Sequence, residues 1–176
     1  MRGWVWLLGG AILTLSAIGA GGLTVIETGA FDARASMPHD PITAWATHTT
    51  MVHSMQHTAT GVKAPAGFSP EQTIAGLRIY EDRCLDCHGG PGVPRAAWVQ
   101  GMNPSPPFLL DASRRWTRAQ LFGVVKNGVK MTGMPAWGLT ESDDRIWDVV
   151  AFLEAMPDMK PRDFQHLQSQ AATKRR

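Results

Sequence analysis

The first patterned stretch of this chain is marked by an absence of polarity. From Trp4 to Ile26 no charged residue interrupts a largely apolar run. As a helix it would be long enough to cross a hydrocarbon core of roughly 30 Å. Trp4 and Trp6 at its head read as an interfacial aromatic pair. The pattern then acquires a period. Asp40-Pro41 reads as an N-cap followed by an N1 proline, and Gly61 as a terminator, which predicts a helix at about 41–60. Within it Trp45, His48, Val52, Met55 and Ala59 recur every three or four positions and predict one apolar stripe, with His53 and His57 on the other side. Ser69-Pro70-Glu71-Gln72 combines an N-cap, an N1 proline and a capping-box glutamine, and opens a helix that runs to the cysteines. Thr117-Arg118-Ala119-Gln120 repeats the device for a helix closed by Gly128. Thr140 predicts the cap of another, with Ile146, Trp147, Val149, Val150, Phe152 and Leu153 on a broad apolar face and Pro157 as its stop.

The chemistry sits at the end of the helix opened by Ser69. Cys84-Leu85-Asp86-Cys87-His88 has the spacing by which two thiols add to the vinyl groups of one haem, with the adjacent histidine held beneath the iron. The same dithiol could be a thioredoxin-like redox pair or half of a zinc site. Zinc would need a second ligand pair, and the chain has only these 2 cysteines. A redox dithiol would sit after a strand in a βαβ setting, and no such setting is present in the pattern. The reading is one covalent haem c, attached through Cys84 and Cys87.

A second axial ligand is legible downstream. A thioether is soft and neutral, favours ferrous iron and suits an electron carrier. Of the 9 methionines, most read as core filler. Met134 stands apart because Gly133 lets the backbone approach closely and Pro135 stiffens the strap. Met131 is the runner-up, and Met102 in Gly-Met-Asn-Pro comes third.

With both ligands placed, the stretch from about Phe68 to Asp158 resembles a class I single-haem cytochrome c of the bacterial type. The resemblance implies an all-α fold around the haem, with the first and last helices crossing where a small residue meets an aromatic. Gly76, Tyr80, Val149 and Phe152 fit that crossing. It also implies that the carbonyl of Pro107, in Pro107-Phe108-Leu109, accepts a hydrogen bond from the His88 imidazole. The usual glycine before that proline is replaced by Pro106. The loop from Gly89 to Pro106, with Trp98, is expected to pack over the haem edge. His48 is expected to be a packed, hydrogen-bonded core residue, and the connector stripe to dock on the haem domain or on a partner.

The implied organisation is a transmembrane anchor (1–26), a connector (27–67), a haem domain (68–160) and a C-terminal tail (161–176). A cleaved signal is the rival to the anchor, since Ala33-Arg34-Ala35 resembles a cleavage site. Arg2 before the span, with Glu27 and Asp32 after it, puts the haem domain on the periplasmic side of the cytoplasmic membrane. A net charge of +2 does not favour a nucleic-acid partner. The charge is uneven, however: Arg114, Arg115, Arg118, Lys126 and Lys130 lie in a run from Ala112 to Leu139 that has no acidic residue. Such a collar could steer docking onto an acidic partner or be an ordinary solvated face.

The function implied is one-electron transfer rather than substrate chemistry. The redox partners would be a quinol-oxidising complex or periplasmic dehydrogenase on one side and a terminal oxidase or other acceptor on the other. The chain would act as a tethered shuttle or as a fixed subunit of a membrane complex. The alternative is a haem enzyme or a gas or redox sensor with a labile sixth ligand. Against it, Met134 should fill the sixth position, and no distal His/Arg pair is recognisable.

Overall fold

The computed structural model describes residues 2–173. Among them the regular structure is helical, with a single isolated bridge between Gly90 and Val93. The chain forms two compact units, one up to Met37 and one from Pro38 onward.

The first unit is dominated by α1 (Arg2–Thr28). Its stretch Gly3–Thr28 has a mean hydropathy of 1.7, and its side chains are exposed all round. By length and composition this helix is long and apolar enough to cross a membrane.

The second unit opens with α2 (Pro41–Thr58), where the Asp40 carboxylate accepts hydrogen bonds from the backbone N–H groups of Ile42 and Thr43. Gly61 follows at φ +87, the left-handed conformation that ends helices and that glycine adopts without penalty. The expected stripe is covered only in part. Met55 and Ala59 are buried and Val52 half-buried, whereas Trp45 is 68% exposed.

The core is the crossing of α3 (Pro70–Arg83) with α7 (Asp143–Ala155). Both halves of the Ser69–Gln72 capping box are formed. At the crossing a side-chain carbon on Gly76 would collide with the Asp148 carbonyl, so only glycine allows this approach. Tyr80 and Phe152 are fully buried there, with ring centroids 5.0 Å apart. The cap of α7 differs from the sequence expectation. Ser142 accepts from the Arg145 N–H, while Thr140 closes the short 3₁₀ turn Trp137–Leu139. That turn takes up the intervening residues, so the helix begins two positions later.

Two short helices follow α3: α4 (Leu85–His88) and, past a 3₁₀ turn at Ala97–Gly101, α5 (Ala112–Arg115). Next comes α6 (Arg118–Asn127), closed by a complete Thr117–Gln120 capping box at one end and Gly128 at the other. Phe122 of α6 stacks on Trp147 of α7 at 4.2 Å between centroids.

The residues after 160, expected to be a tail, contain α8 (Pro161–Thr173). Phe164 and Ala171 are buried against the core, the Arg78 guanidinium donates to the Ala171 carbonyl, and Gln168 donates to Glu81 at 2.8 Å. Phe164, Leu167 and Ala171 form a stripe at helical spacing, and that stripe holds the segment down. The terminal Lys174-Arg175-Arg176 lies outside the described residues.

Candidate haem site

Cys84 ends α3 and Cys87 lies in the single turn of α4, so one helix end delivers both thiols and His88 in sequence. The His88 N–H bonds back to the Cys84 carbonyl at 2.9 Å, continuing the helical turn through the motif. Cys84 and Cys87 are not bonded to one another. Burial pushes the Cys84 thiol up to about 12, with the neighbouring Cys87 adding to the effect, and burial also raises Cys87. Both shifts favour the neutral thiol over the thiolate, which disfavours a thiolate redox pair.

His88 is buried, and its Nδ1–H donates to the Pro107 carbonyl at 2.8 Å. This directs Nε2 away from the backbone. Burial lowers the imidazole's proton affinity, outweighing the opposing effect of the Pro107 hydrogen bond, and nearby Arg95 lowers it further. A neutral imidazole with one nitrogen braced is the state a metal ligand requires. Arg95 also fixes the loop carrying Pro107: it donates to Ser105 Oγ at 3.1 Å and to the Pro106 carbonyl, and stacks over Phe108 at 4.4 Å.

Met134 sits on a strap with its own internal bonding. Its N–H donates to Thr132 Oγ1 at 3.1 Å, and its carbonyl accepts from Val129 at 3.2 Å. Gly128 makes the strap possible twice over. It adopts φ +63, and a side-chain carbon there would approach the Ala136 nitrogen to 2.7 Å.

These pieces meet in one cavity of about 420 Å³, within the range for ligand sites. Cys84, Cys87, His88, Pro107 and Met134 all line it, along with Leu109, Leu121, Val125 and Leu153. An apolar slot with two thiols, a braced imidazole and a thioether in its wall offers the donor set that a covalently attached haem would use.

The structure separates the three candidate methionines. Met131 is 91% exposed and is not part of the cavity wall. Met102, ranked third from sequence, lines it. Two residues of α2 do so as well, His48 and Met51. The expectation that His48 is a packed core residue is thus corrected: it is exposed at the cavity wall, while the buried residue of α2 is Met55, two turns further on. Helical periodicity placed His48 on the inward face, and nothing local to the chain could indicate that this face overhangs a cavity. Of the Gly89–Pro106 loop, Met102, Pro104, Ser105 and Pro106 line the cavity, whereas Trp98 is 59% exposed and does not.

The basic collar is largely neutralised by acids outside it. Arg114 pairs with Asp158, Arg115 with Asp111 at 3.0 Å, Arg118 with Glu154 at 2.6 Å, and Lys126 with Asp143 at 2.6 Å.

Fold and cavity together define residues 71–153 as a cytochrome c domain, the class of protein that carries electrons on covalently bound haem. Those residues match the family described as cytochrome c oxidase, cbb3-type, subunit III. A relative, the thiosulfate dehydrogenase of Thiomonas intermedia (strain K12), is 30% identical over 105 residues. That match covers 57% of this chain and 31% of the relative, so the chain spans about a third of the relative's length.

Proposed function

We propose that this protein is a membrane-tethered cytochrome c with a single haem, attached at Cys84 and Cys87 and ligated by His88 and Met134. Bound haem supplies an iron that gains and loses one electron. The chain's own residues do the rest. Pro107 holds the His88 ring by its Nδ1–H, burial keeps that ring neutral, and the Met134 thioether biases the site toward the ferrous state. The apolar walls exclude water and so limit the change in solvation that accompanies each electron.

The observation that carries this reading is that both thiols, the braced imidazole and Met134 line one apolar cavity. The span at Gly3–Thr28 supports tethering, and Arg2 before it with Glu27 and Asp32 after it is the cue for a haem domain in the periplasm. The named families support two placements for the electron. One is a fixed subunit feeding a terminal oxidase, and the other is a carrier that receives electrons from a dehydrogenase; a quinol-oxidising complex would be an alternative donor. The proposed role is electron transfer without substrate chemistry.

The protein purified in mild detergent should contain one covalent haem per chain and give a low-spin c-type spectrum when reduced. Its co-migrating partners should include an oxidase or a dehydrogenase. A reduced protein that binds carbon monoxide freely would favour the sensor or enzyme class instead.

A further inference from the structure

We infer that Met102 is a reserve axial ligand, positioned to take the place of Met134 at the same cavity. This rests on the haem reading above. The two thioethers are brought together by the fold. A side-chain carbon on Gly133 would collide with the Met102 methyl and lie 3.8 Å from its sulfur, so the end of Met102 rests against the backbone residue that precedes Met134. Met102 and Met134 both line the cavity. The bare backbone of Gly133 thus gives the end of Met102 a place to rest beside Met134, and a side chain there would make the Met102 methyl swing aside.

The two donors are chemically identical, so the backbone decides which one binds. Met134 is held by the Thr132 hydroxyl and by the Val129 N–H at the mouth of a glycine-closed strap. Met102 follows the 3₁₀ turn at Ala97–Gly101, tied at its own N–H to the Val99 carbonyl at 3.0 Å. Its neighbours Gly101 and Pro104 are exposed. The better-braced thioether is the resident ligand, and the looser one, half-buried beside it, is the replacement when Met134 is removed. A flexible, unbranched thioether suits that role because it can swing without moving the backbone.

The test uses the full-length protein in detergent: wild type, Met102→Leu, Met134→Leu and the double variant, each checked for covalent haem. The readouts are the near-infrared sulfur-to-iron band of the oxidised form and carbon monoxide binding by the reduced form. Met102→Leu should keep the band. Met134→Leu should also keep a band, altered in position, and resist carbon monoxide, while the double variant should lose the band and bind the gas. Adding Gly133→Ala to Met134→Leu should displace Met102 and weaken the retained band. The inference is overturned if Met134→Leu alone loses the band and binds carbon monoxide as readily as the double variant. It is also overturned if the double variant keeps the band, which would point to Met51. A wild-type protein with covalent haem but no band would remove the Met134 assignment, and the reserve role with it.

Discussion

At the scale of single residues, Tyr80 shows how the motif is tied to the core. Its hydroxyl donates to the Gly89 carbonyl at 2.7 Å, immediately after His88. Burial raises the phenol's proton affinity well above its usual value, so the hydrogen-bond donor persists at any pH the protein will meet. Tyr80→Phe leaves a buried carbonyl without this donor and should cost about 1–3 kcal/mol in denaturant unfolding of the haem-loaded protein. Its spectrum should keep the c-type form, since the ring still fills the same space. Met131 gives the opposite expectation. It is 91% exposed, so Met131→Ala should leave the sulfur-to-iron band and the stability within error of wild type.

At the scale of elements, the α3–α7 crossing depends on Gly76. Gly76→Ala drives a methyl into the Asp148 carbonyl, and because the obstacle is backbone the helices themselves must separate. The expected loss is about 1–3 kcal/mol, in the range for overpacked cores, and it should appear as a lower thermal midpoint. The final helix offers a second test. Phe164 is fully buried against Phe152 and the glycine turn at Gly90. Phe164→Ala should therefore destabilise the domain by about 3–5 kcal/mol, whereas a segment that was merely a tail would give no change. Arg118 links elements in another way. Its guanidinium grips Glu154 of α7 and the Pro65 carbonyl of the connector, and lies over the Phe68 ring. The chain entering α3 is thereby pinned to α6 and α7.

At the scale of the whole molecule, core and cavity share residues: Tyr80, Leu121, Val125, Val149 and Leu153 belong to the packed interior and also line the cavity. Cys84→Ala with Cys87→Ala removes the proposed attachment, and the second unit should then lose its cooperative thermal transition, as read by near-ultraviolet circular dichroism. Charge is the other whole-molecule property. With Arg114, Arg115, Arg118 and Lys126 each paired, the collar presents far less net field than its sequence implies. Electron transfer to a redox partner should accordingly fall only shallowly as ionic strength rises and the Debye length shrinks below about 8 Å. A steep fall in stopped-flow rates would mean that the pairs open on docking.

Local signals account for what the sequence determined. Caps, N1 prolines and closing glycines act within one turn of backbone, so Asp40, Ser69, Thr117 and Gly128 could be read directly. The attachment pentapeptide is equally local, and the apolar span is a property of composition. The exception among the caps, Thr140 for Ser142, arose because a 3₁₀ turn competes for the same polar residues. Everything that depended on what lies across a gap was decided by tertiary packing. Pro107 reaches His88 over 19 positions of chain. Met102 meets Gly133, and His48 and Met51 border the cavity, only because separate elements converge there. The basic run lost its apparent charge because its partners Asp111, Asp143, Glu154 and Asp158 lie outside it in sequence. Sequence fixes the conformation of a turn through interactions between near neighbours, but a cavity wall and an ion pair belong to residues that only the folded chain brings within reach.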